Sequence, residues 1–154
     1  MMKKKPMLAY PVSDKPIDYT KPVFMQPKLD GVRCLIQYDG AESLVAYSRT
    51  GKVWKNINHI LYELIPFFKK YPNVILDGEL YNHALRDDFE KIISCVRKTK
   101  PTDADRAESR KLVQFHCYDI VDETLTFEER YKFVFDNLRD YYGVRTVVTQ
   151  AVAS

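Results

Sequence analysis

The feature that most constrains this fold is an alternation of apolar residues that begins inside the charged stretch PKLDGVRC (27–34). Every second position carries an apolar residue: Val32, Cys34, Ile36 and Tyr38. A period of two is typical of a β-strand. The run VFMQPK (23–28), which comes before it, also predicts a short strand. A lysine, an aspartate, a glycine and an arginine therefore lie at the junction of two predicted strands.

Further strand patterns alternate with helical patterns along the chain. Strands are predicted over residues 43–48, 73–82, 112–121 and 144–152. A first helix is predicted to run to about Tyr71 with Asn56 or Asn58 as its cap, and a second over 88–98 with Asp87 as its cap. Thr126 and Glu129 form a capping box for a third helix that runs to about Tyr142. The polar stretch 99–111 is predicted to be a mobile loop.

This succession of hairpins and helices predicts an α+β domain with antiparallel sheets and packed helices, which spans residues 1–154. Of the 154 residues, 45% are hydrophobic and 29% are charged, which is typical of a globular domain. No apolar run approaches the roughly 20 residues of a membrane span, and no apolar segment follows the basic start as in a secretory signal. The net charge of +3 permits a nucleic-acid partner without requiring one.

The three cysteines, Cys34, Cys95 and Cys117, are far apart and show no CxxC spacing. Each lies in an apolar setting, so we expect buried free thiols in a reducing, cytoplasmic compartment. The three histidines show no metal-ligand spacing either: His59, His83 and His116.

Lys28 lies at the end of a predicted strand, where partial desolvation would favour its neutral, nucleophilic amine. Lowering the pKa of a lysine from ~10.4 to about 7.4 needs roughly 4 kcal/mol, part of which Arg33 or a metal ion could supply. Asp30 is better suited to orienting the turn, and Gly31 lets the backbone approach a ligand closely. A salt-bridged surface turn explains the same residues, and KLDG alone does not decide between the two interpretations.

Three later stretches carry chemistry of the same kind. SRTGK (48–52) is a turn with Arg49 and Lys52, which by itself is an ordinary basic loop. In LDGEL (76–80), Asp77 and Glu79 are two positions apart, so both carboxylates lie on one face of a strand. Buried carboxylates require partners, and ribose hydroxyls or Mg²⁺ are suitable; a solvated strand face is the alternative.

The stretch FHCYDIV (115–121) is the last of the three. Strand alternation places Phe115, Cys117 and Asp119 on one face. It places His116, Tyr118 and Ile120 on the other face. Tyr118 can offer an aromatic plane to a base. Core packing is the alternative role for this strand.

Together and in this order, the four stretches resemble the covalent nucleotidyltransferases, over residues 22 to 150. ATP-dependent DNA ligases are the nearest match. The resemblance implies an adenylation domain of the nucleotidyltransferase (ATP-grasp-like) fold. It implies that Lys28 attacks the α-phosphate of ATP and carries AMP, that Glu79 holds the ribose and that Tyr118 stacks on adenine. It further implies that Arg49 contacts the nucleotide or the 5′-phosphate of a nick, and that Arg33 contacts the sugar or the DNA end.

The resemblance also implies partners and a boundary. ATP and Mg²⁺ are the implied cofactors, with Glu79 as the metal contact, and nicked duplex DNA is the implied substrate. Asp30, Gly31 and Asp77 support the motifs, and the further candidates for DNA contact are Lys52, Arg97 and Lys98. Two later family motifs and the oligonucleotide-binding domain have no counterpart after Tyr118, so we expect a partial adenylation domain that adenylates itself poorly. An RNA ligase, a capping-type enzyme and a non-catalytic binding remnant are the alternatives.

Overall fold

A computed structural model of the chain describes residues 23–25, 31–40, 43–138, 143–147 and 150–152. The strands are β1 (Val23–Met25), β2 (Val32–Tyr38), β3 (Leu44–Tyr47), β4 (Leu76–Tyr81), β5 (Gln114–Ile120), β6 (Val144–Thr146) and β7 (Gln150–Val152). The α-helices are α1 (Asn58–Lys70), α2 (Phe89–Val96), α3 (Asp103–Leu112) and α4 (Phe127–Asn137). Within these residues, no helix combines the length and the apolar character that crossing a bilayer requires.

The strands form a five-stranded sheet in the order β3-β2-β4-β5-β6 and a separate pair of β1 with β7. Neighbours from β3 to β5 are antiparallel, as predicted. The last pair, β5 with β6, is parallel, because α4 connects the two strands and a helical crossover returns the chain in its original direction. The single strand predicted over 144–152 is instead two strands, which belong to different sheets. The α+β class is confirmed, but the sheet is mixed.

The main core lies on the face of the sheet that the helices cover. Alternate residues of β2 and β5 point into it, including Cys34, Ile36 and Phe115, all fully buried. Helix α1 adds Ile60, Leu64 and Phe68 from its apolar side. The prediction of buried free thiols is confirmed for all three cysteines. Leu35 lies between Cys34 and Ile36 and therefore points to the opposite face, where it packs with Ile75 and Val121.

Two predicted helix caps are wrong. Ile57 precedes α1 as its cap residue and no side chain caps the helix. Asn56 instead has a positive φ of 59°, and its amide nitrogen donates to the carbonyl oxygens of Cys95 and Asp105, each at 3.1 Å. Asn56 thus connects α2 to α3 rather than starting α1. Before α2, Asp88 and not Asp87 occupies the cap position, without a side-chain hydrogen bond.

The predicted mobile loop over 99–111 is also wrong, because residues 103–112 form α3. Thr102 and Asp105 make a reciprocal capping box at its start, and only Ser109 in this helix is buried. The helix is too polar to show an apolar period, which explains why the pattern indicated a loop. The capping box of Thr126 and Glu129 is confirmed, although α4 ends at Asn137, earlier than predicted.

Candidate functional site

Arg33 and Asp77 form a bidentate ion pair on the face of the sheet opposite the main core. The Nε and Nη2 atoms of Arg33 each donate to one carboxylate oxygen of Asp77 at 2.7 Å. The Asp77 side chain is 2% exposed and that of Arg33 is 21% exposed. Burial raises the pKa of the Asp77 carboxyl and outweighs the lowering effect of Arg33. Burial opposes the charge on Arg33, yet Asp77 raises the guanidinium pKa overall.

Glu79 lies on the same face, as predicted, and directly opposite Arg33 in the register of β2 with β4. The guanidinium nonetheless pairs with Asp77, which is diagonal to it. Glu79 also lies close to Gly31: a Cβ atom at Gly31 would be 3.3 Å from Oε2 of Glu79 and 2.5 Å from the carbonyl oxygen of Leu80. Only glycine fits this approach of β2 to β4. Lys28 and Asp30, three and one positions before Gly31, lie outside the described residues.

Tyr118 completes the cluster because of a β-bulge. The register of β4 with β5 pairs Asp77 with Asp119 and Gly78 with Cys117, so that Tyr118 is the extra residue on β5. Such bulges re-aim a side chain. The Tyr118 ring centroid lies 5.5 Å from the Arg33 guanidinium carbon, and its hydroxyl lies 3.4 Å from Oε1 of Glu79. Burial raises the pKa of the Tyr118 hydroxyl, so the hydroxyl is protonated and donates.

The same bulge corrects the predicted faces of FHCYDIV. Phe115 and Cys117 are in the core as expected, but Ile120 packs with them in the same cluster. Asp119 lies opposite Asp77 rather than in that core set, and its carboxylate accepts a hydrogen bond of 2.8 Å from Nε of Arg130. One extra residue therefore shifts the alternation of every position after Tyr118.

The turn SRTGK lies beside the N-terminal half of β2, because Tyr47, the residue immediately before the turn, pairs with Leu35. Arg49 and Lys52 are exposed on this turn. Lys52 lies over the ring of Trp54 at 5.7 Å, and the indole Nε1 of Trp54 donates to the carbonyl oxygen of Arg33 at 3.0 Å.

Trp54 is a residue that the sequence interpretation missed. It connects the basic turn to β2 at Arg33, a contact that the sequence did not predict. Its position two residues after a basic turn, as the chain's single tryptophan, was the available signal.

Arg97 and Lys98 lie at the C-terminal end of α2. Arg97 is exposed, whereas Lys98 forms an ion pair with Asp105 at 3.4 Å. A hydrogen bond of 3.1 Å from the backbone nitrogen of Lys55 to the carbonyl oxygen of Val96 ties this helix end to the segment that follows the basic turn. The structure therefore places these two candidates near the segment after SRTGK rather than in the cluster around Arg33.

A metal site is not evident among the described residues. No group of three or more His, Cys, Asp or Glu side chains in those ranges is arranged to hold an ion. The carboxylate of Asp77 is bonded to Arg33 in this site. Metal binding by Glu79 stays a prediction.

The cluster of Arg33, Asp77, Glu79 and Tyr118 combines an aromatic ring, a carboxylate and a guanidinium within one small area. A ring can stack on a base, a carboxylate can accept from sugar hydroxyls, and a guanidinium can bind phosphate oxygens. The groups that a nucleotide needs are therefore present together. Arg33 and Asp77 are 44 positions apart in the sequence. The pairing of β2 with β4 in the sheet brings these two residues into contact.

Solved structures of similar fold include one described as Pmar-Lig_Pre, which is 21% identical and matches with a TM-score of 0.70 over 95% of this chain and 35% of the other. A second, from a structure–function study of Lig E DNA ligases, is 20% identical, with a TM-score of 0.64 over 99% of this chain and 54% of the other. The chain thus spans between about a third and about half of the length of these proteins. A search of curated proteins found no match.

Almost the whole chain also matches one family of protein domains. Residues 6–153 fit the family described as the ATP dependent DNA ligase domain, which agrees with the fold of the neighbours and with the order of the four motifs. This chain belongs to the ATP-dependent DNA ligase domain family.

Proposed function

We propose that a protein containing this domain seals nicks in duplex DNA through a lysyl-AMP intermediate on Lys28, with ATP as the AMP donor. The observation that carries the proposal is the convergence of Arg33, Glu79 and Tyr118 beside Gly31, three residues after Lys28. Membership of the family supports the same activity.

In this proposal each residue of the cluster has a task. The Tyr118 ring takes the adenine, Glu79 accepts from the ribose hydroxyls, and Arg33 binds the sugar or the 5′-phosphate of the DNA end. Asp77 holds Arg33 in place through two hydrogen bonds. These residues bind and orient, which is most of what catalysis of phosphoryl transfer requires.

The covalent step is a displacement at the α-phosphorus of ATP. The neutral amine of Lys28 forms the nitrogen–phosphorus bond, the bond to the bridging oxygen breaks, and pyrophosphate leaves. The amine loses one proton to solvent as the phosphoramidate forms and keeps the other on its nitrogen. AMP then passes to the 5′-phosphate of a nick, and attack by the 3′-hydroxyl seals the strand and releases AMP. Magnesium, as ATP's usual counterion, would neutralise charge on the pyrophosphate.

We assign DNA contact to Arg49 and Lys52 on the exposed turn next to Arg33, and a secondary contact to Arg97 and Lys98. Lys98 already forms an ion pair with Asp105, so we expect it to contribute less to DNA affinity than Arg49. Contacts of this kind to phosphates make affinity fall steeply with salt. We place the protein in the reducing cytoplasm, which the three buried free thiols support.

Transfer of AMP provides the direct test. The purified chain is incubated with α-labelled ATP and Mg²⁺, and covalent label is measured together with equilibrium binding of ATP. We expect ATP binding and slow labelling, with the label abolished in Lys28→Ala. Lys69→Ala is the matched control, since Lys69 is an exposed lysine on α1, and its label should equal that of the original chain. A folded chain that neither binds ATP nor takes up label would overturn the proposal, as would undiminished label in Lys28→Ala.

Substrate choice is tested by binding of the chain to nicked DNA, nicked RNA and intact duplex DNA of one sequence. We expect nicked DNA to bind most tightly, and Arg49→Gln to weaken that binding and reduce its salt dependence. Preference for nicked RNA would reassign the substrate to RNA ends.

A further inference from the structure

A second ion pair lies beside the first one on the sheet. Nε of Arg130, on α4, donates to Oδ1 of Asp119 at 2.8 Å, and both side chains are 12% exposed. Nη1 of Arg130 donates to the carbonyl oxygen of Leu125 at 2.8 Å, and the guanidinium carbon lies 5.6 Å from the centroid of the Phe127 ring. Arg130 is therefore held in place by contacts on three sides.

The two ion pairs are joined through their carboxylates. Asp77 and Asp119 are register partners on β4 and β5, and like charges directly opposite in a sheet repel. The charge of Asp119 raises the pKa of Asp77. The charge of Arg33 in turn lowers the pKa of Asp119, which burial raises. The two carboxylates thus lie in the middle of a line of four residues, with an arginine at each end: Arg33, Asp77, Asp119 and Arg130.

This arrangement assigns one arginine to each carboxylate. Without Arg130, the buried carboxylate of Asp119 would lose its bonded cation, and the other guanidinium that lowers its pKa is that of Arg33, which Asp77 holds beside the Tyr118 ring. Asp119 also follows Tyr118 directly, so that a shift of its carboxylate would move the bulge that aims the ring.

We propose that Arg130 is a positioning residue: by neutralising Asp119 from α4, it keeps Arg33 on Asp77 and Tyr118 in its bulged position. This inference rests on the proposed function, since it concerns the residues assigned to the nucleotide. It adds a device outside the four motifs, because Arg130 lies on α4 and bonds to the sheet through Asp119.

Binding of α,β-methylene-ATP, measured by calorimetry, tests the proposal without the chemical step. We expect Arg130→Gln to weaken binding about tenfold, within the range of couplings measured inside one charge network. Arg130→Lys should recover part of the loss, since it restores the charge without the Leu125 contact. In Asp119→Asn/Arg130→Gln the competing charge is gone, and we expect affinity within about twofold of the original chain.

Lys132→Gln is the matched control, because Lys132 lies on the same helix and its ion pair with Asp136 is exposed. Affinity in this variant should not change. Equal affinity in Arg130→Gln and the original chain would overturn the proposal, and so would a double variant as weak as the single one, which would indicate a purely structural role. Should Arg130→Gln fail to fold, the neutral double variant decides: weak binding by a folded double variant refutes the proposal, and restored binding supports it. If the original chain itself does not bind, the proposed function fails instead.

Discussion

Arg33 faces Glu79 directly across the β2–β4 ladder, but its guanidinium donates both of its 2.7 Å hydrogen bonds to the diagonal neighbour Asp77. The more buried carboxylate thereby receives the bidentate partner. This leaves the Glu79 carboxylate beside Gly31 and the Tyr118 hydroxyl.

The buried pair predicts an asymmetry in stability. Asp77→Ala strands the Arg33 charge and should lower the free energy of unfolding by about 3 kcal/mol, as when one partner of a buried pair is removed. Arg33→Met/Asp77→Leu removes both charges and should cost less than Asp77→Ala. Urea unfolding of the three chains measures this. A double variant less stable than Asp77→Ala would contradict the prediction.

Much of the fold could be predicted because its strands alternate clearly. β2 to β5 all lie within predicted strands, and the capping box at Thr126 located the start of α4. Helix α3 was missed because its one buried residue, Ser109, gives no apolar period. The capping box of Thr102 and Asp105 was present in the sequence, but no hydrophobic run followed to draw attention to it.

The positions of the four motif residues on the sheet could be predicted only in part, and their roles in a site stay predictions. The spacing of Asp77 and Glu79 placed both on one face, and the structure agrees. The bulge at Tyr118 has no signature in the sequence, so the faces of Asp119 and Ile120 were reversed. Contacts between distant segments, such as Trp54 with Arg33 or Arg130 with Asp119, depend on the folded sheet and had no local signal.

Gly31 is predicted to be irreplaceable for a steric reason. A methyl group there would meet the carbonyl oxygen of Leu80 at 2.5 Å, and backbone on a central strand cannot move aside cheaply. Gly31→Ala should cost about 2 kcal/mol by overpacking and should weaken ATP binding by displacing Glu79. Gly40→Ala is the comparison: nothing lies within 4 Å, but φ is +86°, so it should cost about 1 kcal/mol and leave ATP binding unchanged. Equal effects of the two substitutions on ATP binding would refute this account.

Tyr118 should act through its ring more than through its hydroxyl. The hydroxyl contact to Glu79 is long, at 3.4 Å, whereas stacking on a base is worth about 1–3 kcal/mol. We expect Tyr118→Phe to retain the affinity for α,β-methylene-ATP within about threefold and Tyr118→Ala to lose about tenfold or more. Calorimetric titration measures both. An equal loss in the two variants would shift the role to the hydroxyl.

The three thiols should be inert in the folded chain. All are buried, and burial raises the pKa of Cys95 to about 11, with a further contribution from Glu108. Since the thiolate is the reactive form, a disulfide reagent at pH 8 should label native protein at least roughly a hundredfold more slowly than protein in urea. Absorbance of the released thiol follows both reactions. Rapid labelling of native protein would show that Cys95 is accessible.

His59 should make stability depend on pH. Its Nε2 lies 2.8 Å from the carbonyl oxygen of Val113, and burial lowers its pKa below the ordinary value of 6.5. As the pH falls through 6.5, His59 becomes protonated in the unfolded chain while it stays neutral in the folded chain. The free energy of unfolding that is present above pH 6.5 therefore decreases until the pH reaches the folded pKa. Urea unfolding at pH 7.5 and 5.5 should show this loss, and His59→Gln should reduce the difference. His83→Gln, at an exposed position, should retain it; the same difference in His59→Gln as in the original chain would assign the effect to other groups.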